Sequence, residues 1–417
     1  MVWGALLPIM SLGVWATAGV FLIVLSVFGG MANDVPTYHL YSPSEFLGYT
    51  NFSNIYNGRW AAKRSTKHSV DLLFIHQLVT ANTSVPVKDA DLFIIPMLGA
   101  QSENLMSFEN HANNVRQMLD VLATKPAFFR NDLRNHVLIV KWKQDSILRV
   151  VNQSPNATLK AAFHKKVMFG VFECDNYCSK SHSCFGVGYS SILSLKPFGV
   201  NCAKNHTLIP RFSMEQRKYL VSFVGQFDGR QNYKYRRLMF NQLKKESYPD
   251  MYMKFFGIKL KTRIPCEKAL AVMYDSQVVI SLPGDTCVTD RIYNAFDSMT
   301  LIAALSHDHD CIAASLAFPS MLNWKWNEII VWVDSAAYIR NSVQAVRNAV
   351  QNLSSTDKSR RLKLMQQIKP DLIWGMEGSR CMQNTLKEAY KTMMLAANVP
   401  ASKHGPKYSK KYSNRPY

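Results

Sequence analysis

The chain is short of acidic side chains, with 29 Asp and Glu residues against 49 Lys and Arg, which gives a formal net charge of +20. A surplus of this size suits nucleic acid, an acidic membrane surface or an acidic polymer. Zinc-knuckle spacing and an RNP-like pattern are both lacking, and so are a Walker motif and an internal repeat. Nucleic acid is therefore the weaker choice of partner, although salt-sensitive binding to RNA or DNA would restore it.

Charge of either sign is absent from residues 1–33. The run from Leu6 to Phe28 is almost wholly apolar and long enough to span a bilayer, which takes about 20 residues. A cleaved signal peptide is the alternative, with small residues at 29–32 as its cleavage site. Because a signal peptide normally has a basic start and a shorter apolar core, the pattern favours an uncleaved anchor. The first basic residue is Arg59, so the positive-inside rule does not orient this anchor.

Cysteines and glycosylation sequons indicate the compartment. The cysteine count is eight, an even number, and no histidine stands near the cysteine cluster at zinc-finger spacing, which favours disulfides over zinc. Six Asn-x-Ser/Thr sequons spread along the chain fit a lumenal domain of the Golgi or endoplasmic reticulum. The clustered cysteines are Cys174, Cys178, Cys184 and Cys202, and the dispersed ones are Cys266, Cys287, Cys311 and Cys381. The sequons begin at Asn51, Asn82, Asn152, Asn156, Asn205 and Asn352.

Short apolar runs alternate with helical patterns along the chain, which predicts parallel sheets with helices on both faces. The pattern restarts after residue 211, so a boundary between two domains is expected near 205–218. The predicted strands are 89–96, 137–140, 167–172, 219–224, 253–256, 277–282, 300–305 and 329–333.

The stretch 276–306 organises the rest of the chain. It reads as a strand, a glycine turn at Pro283–Thr286, a helix and a second strand. Thr289 and Asp290 supply acceptors for the N-cap of that helix. A strand that leads through a glycine turn into a helix N-terminus is a natural anion site. From spacing alone, an ordinary βαβ unit explains the stretch equally well.

This stretch resembles the nucleotide-sugar segment of the exostosin family of glycosyltransferases (GT47-type). The family carries an acidic residue where this chain has Asn294, usually glycine where it has Met299, and proline near Leu301. A second resemblance lies at Gly225 and the arginines that follow it, Arg236 and Arg237. The matching residues of the stretch are Pro283, Gly284, Asp285, Thr286, Thr289, Asp290, Arg291, Ile292, Tyr293, Ala295 and Phe296.

The resemblance implies a GT-B-like α/β fold, with two Rossmann-like domains that enclose a donor cleft. It also implies a UDP-sugar donor, inversion at the anomeric carbon and a glycan acceptor. The basic balance of the chain would suit an acidic glycan, and the anchor and sequons predict a type II membrane protein whose catalytic domain is lumenal. A homo- or hetero-oligomer is possible. The predicted limits are 1–33 for the anchor, 34–64 for a stem, 65–212 for the acceptor-side domain, 213–352 for the nucleotide-sugar domain, 353–400 for C-terminal helices and 401–417 for a basic disordered tail.

A glycosyltransferase must neutralise a nucleotide diphosphate leaving group, through a metal or through basic side chains and helix N-termini. The second half has no convincing Asp-x-Asp motif after a strand, because alternating residues in the loop His307–Asp310 rarely converge on one ion. We therefore expect a cationic apparatus, although a divalent cation is possible. Its predicted members are Arg291, one of Arg236 and Arg237, and the backbone at Gly284–Thr286, with Gly225 allowing close approach to phosphate.

Two further roles complete the prediction. In the family the acidic residue on the 284–299 helix bonds the donor ribose; here Asn294 would do so through neutral hydrogen bonds, or Asp290 would take over. Inverting transfer also needs a base that deprotonates the acceptor hydroxyl, and we expect it to come from the first half. Asp145 is the candidate, because it follows a predicted strand at the edge where open α/β sheets bind ligands, and Glu103 is the alternative. The departures at Asn294, Met299 and Leu301 leave a second hypothesis open, a non-catalytic glycan-binding or partner subunit on the same fold.

Overall fold

The computed structural model describes residues 35–46, 70–99, 102, 107–130, 133–140, 145–172, 183–190, 213–227, 231–257, 264–284 and 287–398. The predicted anchor (1–33) and the predicted tail (401–417) lie outside these ranges. In the ranges themselves, no helix combines the length and the apolar character that a bilayer crossing requires.

The first sheet is parallel throughout and keeps the order of the chain, β1-β2-β3-β4-β5. Strands β2 to β5 are short runs buried on both faces, as parallel sheets require, whereas β1 is only partly buried. The edge strand β1 lies within residues 34–64, which the composition assigned to a stem. The strands are β1 (Tyr38–Leu40), β2 (Leu92–Ile94), β3 (His136–Ile139), β4 (Val167–Val171) and β5 (Cys184–Gly186).

Alternate residues of these strands enter two different cores, because successive side chains of a strand point to opposite faces. Leu138 of β3 joins the core formed with α3, α5 and α6, whereas Val137 and Ile139 join the core that includes α2. The helices of this half are α1 (Pro43–Phe46), α2 (Val70–Ala81), α3 (Phe108–Ala123), α4 (Pro126–Phe129), α5 (Asp145–Asn152) and α6 (Ala157–Lys166).

The second sheet is also parallel, and its strand order is β10-β9-β8-β6-β7. The chain moves outward from β6 to β7, then returns to the other side of β6 and continues outward from β8. The direction of winding therefore reverses between β6 and β8. The strands are β6 (Tyr219–Gln226), β7 (Met251–Phe256), β8 (Ser276–Ser281), β9 (Leu301–Leu305) and β10 (Val331–Val333).

Helices pack on the second sheet in two groups. One group contains α7 and α13, and the other contains α8, α9 and α14. Right-handed crossovers in both winding directions place the two groups on opposite faces. The helices of this half are α7 (Lys234–Leu243), α8 (Cys266–Tyr274), α9 (Asp290–Ser298), α10 (His309–Ser315), α11 (Pro319–Ile329), α12 (Ser335–Arg340), α13 (Ser342–Gln351) and α14 (Ser355–Leu372).

The last helix, α15 (Cys381–Ala397), returns to the first half, where it packs against β4, β5 and α2. Its buried residues belong to the same core as those of α2 and of the second sheet. The described residues from 37 to 398 accordingly fall within one compact unit rather than two. The domain limits predicted from the sequence stay a prediction, since helices that follow residue 352 contribute to both halves.

Disulfide bonds are present both in the cysteine cluster and among the dispersed cysteines. Cys287, in the turn after β8, is joined to Cys311 in α10, and Cys184 is also disulfide-bonded. Cys381 is a buried free thiol. In the described part of the chain, no group of His, Cys, Asp or Glu side chains is placed to hold a metal ion.

Reduction of the Cys287–Cys311 bond is expected to lower the free energy of unfolding by about 3 kcal/mol, because the bond closes a loop of 24 residues. Thermal unfolding with and without a strong reductant measures this loss. A Cys287→Ser/Cys311→Ser variant should already show most of it, whereas Cys381→Ser should retain the full sensitivity to reductant. An unfolding temperature of the wild-type protein that did not change with reductant would contradict the Cys287–Cys311 disulfide.

Candidate functional site

The candidate site lies at the carboxyl ends of β6 and β8, where the winding of the second sheet reverses. In open α/β sheets, ligands bind in the crevice outside the carboxyl ends of the strands at this switch point. Gly225 lies at the end of β6, and Pro283 and Gly284 follow β8 directly. The chain thus folds two of the segments that were selected from the sequence against one another.

Arg291, in the first turn of α9, reaches across to β6. Its Nε donates a hydrogen bond of 2.8 Å to the Val224 carbonyl, and its guanidinium carbon lies 4.7 Å from the centre of the Phe223 ring. A Cβ atom at Gly225 would lie only 2.4 Å from the Arg291 Nη2 atom. Glycine at 225 therefore makes room for this guanidinium, which is a different reason from the close phosphate approach that the sequence suggested.

Arg236, near the start of α7, forms hydrogen bonds to the carboxyl ends of both β6 and β8. Its Nη1 donates to the Gln226 carbonyl at 2.6 Å and its Nη2 to the Leu282 carbonyl at 2.9 Å. The side chain is only 3% exposed, and a Cβ at Gly284 would lie 2.7 Å from its Nη2. This geometry gives Arg236 a structural task at the site. The neighbouring Arg237 is only partly buried.

Two guanidinium groups therefore meet the same aromatic ring at the switch point, 4.7 and 5.4 Å from the centre of Phe223. Burial lowers the pKa of Arg291 from its ordinary value, and the nearby Asp290 and Tyr233 oppose that shift. An arginine remains charged through such a shift. Its Nη1 is buried and makes no hydrogen bond to another described residue, so one donor of this guanidinium is not used by the fold.

The start of α9 adds backbone N–H groups to the site. Thr289 is the N-cap residue, as predicted, but its side chain makes no capping hydrogen bond. Its hydroxyl instead lies 3.3 Å from the Ser281 hydroxyl at the end of β8. Asp290 is partly buried in the first turn. Asp285 and Thr286 lie outside the described residues.

The three departures from the family pattern fall in different places. Asn294 is buried in the middle of α9, 5% exposed. Met299 caps the other end of α9 in the left-handed conformation, with φ 47° and ψ 47°, which explains why glycine is usual there. Leu301 opens β9. The last two positions lie one helix length, about 13 Å, from the Arg291 turn, so of the three departures only Asn294 lies within one helical turn of Arg291.

The first half contributes less to the described site. Helix α5 begins at Asp145, after the carboxyl end of β3; the side chain of Asp145 and all of Glu103 lie outside the described parts. The choice of base therefore stays a prediction. His136, at the start of β3, is a core residue. It is stacked 4.9 Å from Phe93, hydrogen-bonded to the Tyr41 hydroxyl, and its pKa is lowered to about 3 by burial.

The residues His307 to Asp310 follow β9 at the same edge of the sheet. His307 lies 3.2 Å from Asp308, whereas His309 contacts Asp310 and Asn327. The two histidines thus engage different partners. Burial raises the pKa of Asp308 to about 6, and Lys234 opposes this shift.

Contacts between the two halves, which we call the seam, were not predicted from the sequence. The backbone N–H of Phe318 donates to the Gly186 carbonyl at 3.0 Å, and the Trp374 indole donates to the Val187 carbonyl at 3.2 Å. Tyr189 lies 5.9 Å from Tyr293 of α9, between ring centres. Nothing in the spacing of these segments along the sequence shows that they meet.

Two parallel α/β sheets, the second with two arginines at its switch point, define a Rossmann-like protein of two halves. The exostosin GT47 domain model matches residues 48–301, more than half of the chain. The protein therefore belongs to the exostosin GT47 family, which confirms the resemblance, and this membership supports a glycosyltransferase.

A crystal structure titled as that of the glycotransferase of kitacinnamycin is similar at 11% sequence identity and a TM-score of 0.34, over 79% of this chain and 96% of that chain. No curated protein sequence matches.

Proposed function

We propose that the protein is a GT-B glycosyltransferase that transfers a sugar from a UDP-sugar donor to a glycan acceptor with inversion. The observation that carries this proposal is the Arg291 guanidinium, seated over Gly225 at the switch point with an Nη1 that makes no hydrogen bond to another described residue. Departure of a nucleoside diphosphate leaves negative charge on the phosphate oxygens, and fixed cations aimed at that position lower the barrier. Arg291 and the start of α9 supply the cation and the N–H donors.

Five of the predicted residues have a part in this proposal. Arg291 binds the diphosphate, while Arg236 holds the ends of β6 and β8 so that the crevice keeps its shape. Asn294 or Asp290 bonds the ribose. Asp145, which follows β3, takes the proton of the acceptor hydroxyl. The net charge of +20 suits an acidic glycan as acceptor.

We propose further that the folded domain lies in the lumen of the Golgi or endoplasmic reticulum, anchored through residues 1–33. The four sequon asparagines in the described parts are all solvent-exposed, and the disulfides fit an oxidising compartment. The four are Asn82, Asn152, Asn156 and Asn352.

Glycosidase treatment tests this topology. Removal of N-glycans from the protein expressed in a secretory pathway should increase its gel mobility, because each exposed sequon accepts a glycan when it faces the lumen. Replacing the four described sequon asparagines by glutamine should remove most of the shift. Unchanged mobility of the wild type would contradict lumenal exposure.

Release of UDP from a panel of UDP-sugars tests the activity itself. The full-length protein in detergent is supplied with each donor and a set of glycan acceptors, with and without a chelator, so that a need for a divalent cation is scored separately. Turnover with at least one donor supports the proposal, and the configuration of the product decides between inversion and retention.

One observation favours a second candidate, a non-catalytic glycan-binding or partner subunit. The family's acidic position holds the buried neutral Asn294. Failure of every donor in the panel, with glycan binding intact, would favour this alternative. An Asn294→Asp variant that gained turnover would locate the cause at that position.

A further inference from the structure

The segment from Gly186 to Tyr189, which leaves the carboxyl end of β5, is held by the second half of the molecule. Its carbonyls at 186 and 187 accept hydrogen bonds from the Phe318 backbone and the Trp374 indole. Phe318 adopts the left-handed conformation, φ 51° and ψ 55°, which is strained for a bulky residue, and it is fully buried. Such strain persists only where the surrounding contacts over-determine the backbone.

Tyr293 is the side chain at the centre of this seam. It is fully buried, its hydroxyl accepts a hydrogen bond of 3.1 Å from the Ala317 backbone N–H, and its ring packs against Tyr189. Gly188 has φ +73°, and a Cβ there would lie 2.7 Å from the Tyr293 hydroxyl and 2.8 Å from the Ala317 Cβ. Glycine is therefore required at 188 by the backbone and by the neighbouring ring.

The same helix turn carries the donor contact. Arg291 and Tyr293 are two residues apart on α9, and residues at that spacing point to nearly opposite sides of a helix. One side of α9 therefore contacts β6 through Arg291, and the other contacts the first half through Tyr293. A short helix carries both contacts, so the packing of Tyr293 fixes where the first half lies relative to Arg291.

We propose that Tyr293 is a positioning residue that sets the acceptor half against the donor site by filling the space over Gly188. This rests on the proposed function. Transfer needs the acceptor hydroxyl within about 3 Å of the anomeric carbon, and small misplacements cost large factors in rate. Donor binding, by contrast, depends on contacts within the second half. Disturbing the seam should therefore impair transfer and spare UDP binding.

The test compares Tyr293→Phe with Gly188→Ala in the full-length protein. Tyr293→Phe keeps the ring and removes only the hydroxyl that Ala317 uses, so it should fold. We expect its kcat for transfer to fall on the order of tenfold, with the UDP Kd within about twofold of wild type because every donor contact is kept. Gly188→Ala should impair transfer more, because its methyl group displaces the ring. UDP binding is measured by calorimetry.

A second readout does not depend on turnover. Hydrogen exchange at the amides of 186–189 and 316–318 should slow when UDP binds to the wild type, and should slow less in Tyr293→Phe. Full transfer activity in Tyr293→Phe, or a parallel loss of UDP affinity, transfer and thermal stability, would overturn the inference and leave the proposed function standing. A wild type that bound no UDP would overturn both.

Discussion

Replacing Arg291 by alanine should weaken UDP binding about 100-fold, the factor expected when one partner of a buried charge-assisted contact is removed. The guanidinium is held in place by the Val224 carbonyl and the Phe223 ring before any ligand arrives. It therefore loses little freedom on binding. Calorimetric titration with UDP measures the effect, and the same experiment with the nucleoside uridine isolates the share of the diphosphate.

Two further variants control this experiment. Arg291→Lys retains the charge but not the planar fork of donors, so it should recover only part of the affinity. Arg360→Ala removes an exposed arginine of α14 that pairs with Glu328, and should leave UDP binding unchanged because exposed pairs contribute little. Wild-type affinity for UDP in a folded Arg291→Ala variant would remove the basis of the proposed donor site.

Local signals in the sequence predicted the elements of the site with small errors. The strand predicted at 277–282 is β8, Ser276–Ser281, and the helix after Thr289 begins at Asp290. Such segments combine an apolar run, turn residues and a capping residue within a dozen positions, so neighbours along the chain determine them. The helix Phe108–Ala123 carries a local signal of the same kind, since the Ser107 side chain accepts a hydrogen bond at its N-cap.

Contacts between distant residues could not be predicted in this way. Gly225 and Arg291 belong to different βα units, and their contact depends on the reversal of winding that places β8 beside β6. The return of α15 to the first sheet also leaves no local signal, because its apolar face would suit either half equally well. Only the folded structure shows that Gly225 makes room for Arg291 and Gly284 for Arg236.

The departures from the family pattern illustrate the same limit. Met299 departs from glycine at a position whose requirement is conformational, and the chain meets it with a methionine in the left-handed region. That substitution affects a helix end and the core rather than the chemistry. Asn294 instead replaces a charged hydrogen-bonding group by a neutral one, in the part of α9 close to Arg291. The sequence alone does not show which of these two departures could affect ligand binding. Their positions on α9 do, because Asn294 lies close to Arg291 whereas Met299 lies at the far end of the helix.

Replacing Arg236 by methionine should lower the free energy of unfolding by about 3 kcal/mol, because it leaves the carbonyls of Gln226 and Leu282 without their donor. Urea unfolding measures this loss. Arg237→Met, at the next position of the same helix, is the matched comparison, and its partly buried side chain should cost about 1 kcal/mol or less.

Titration of the Arg236→Met and Arg237→Met variants with UDP distinguishes a residue that holds the fold from one that contacts the ligand. If Arg236 holds the strand ends and Arg237 reaches the donor, Arg237→Met loses affinity without losing stability, while Arg236→Met loses stability first. An Arg236→Met variant as stable as wild type would show that the bridge between β6 and β8 does not depend on this guanidinium. The crevice at the switch point would then have to be held by the β6–β8 backbone ladder alone.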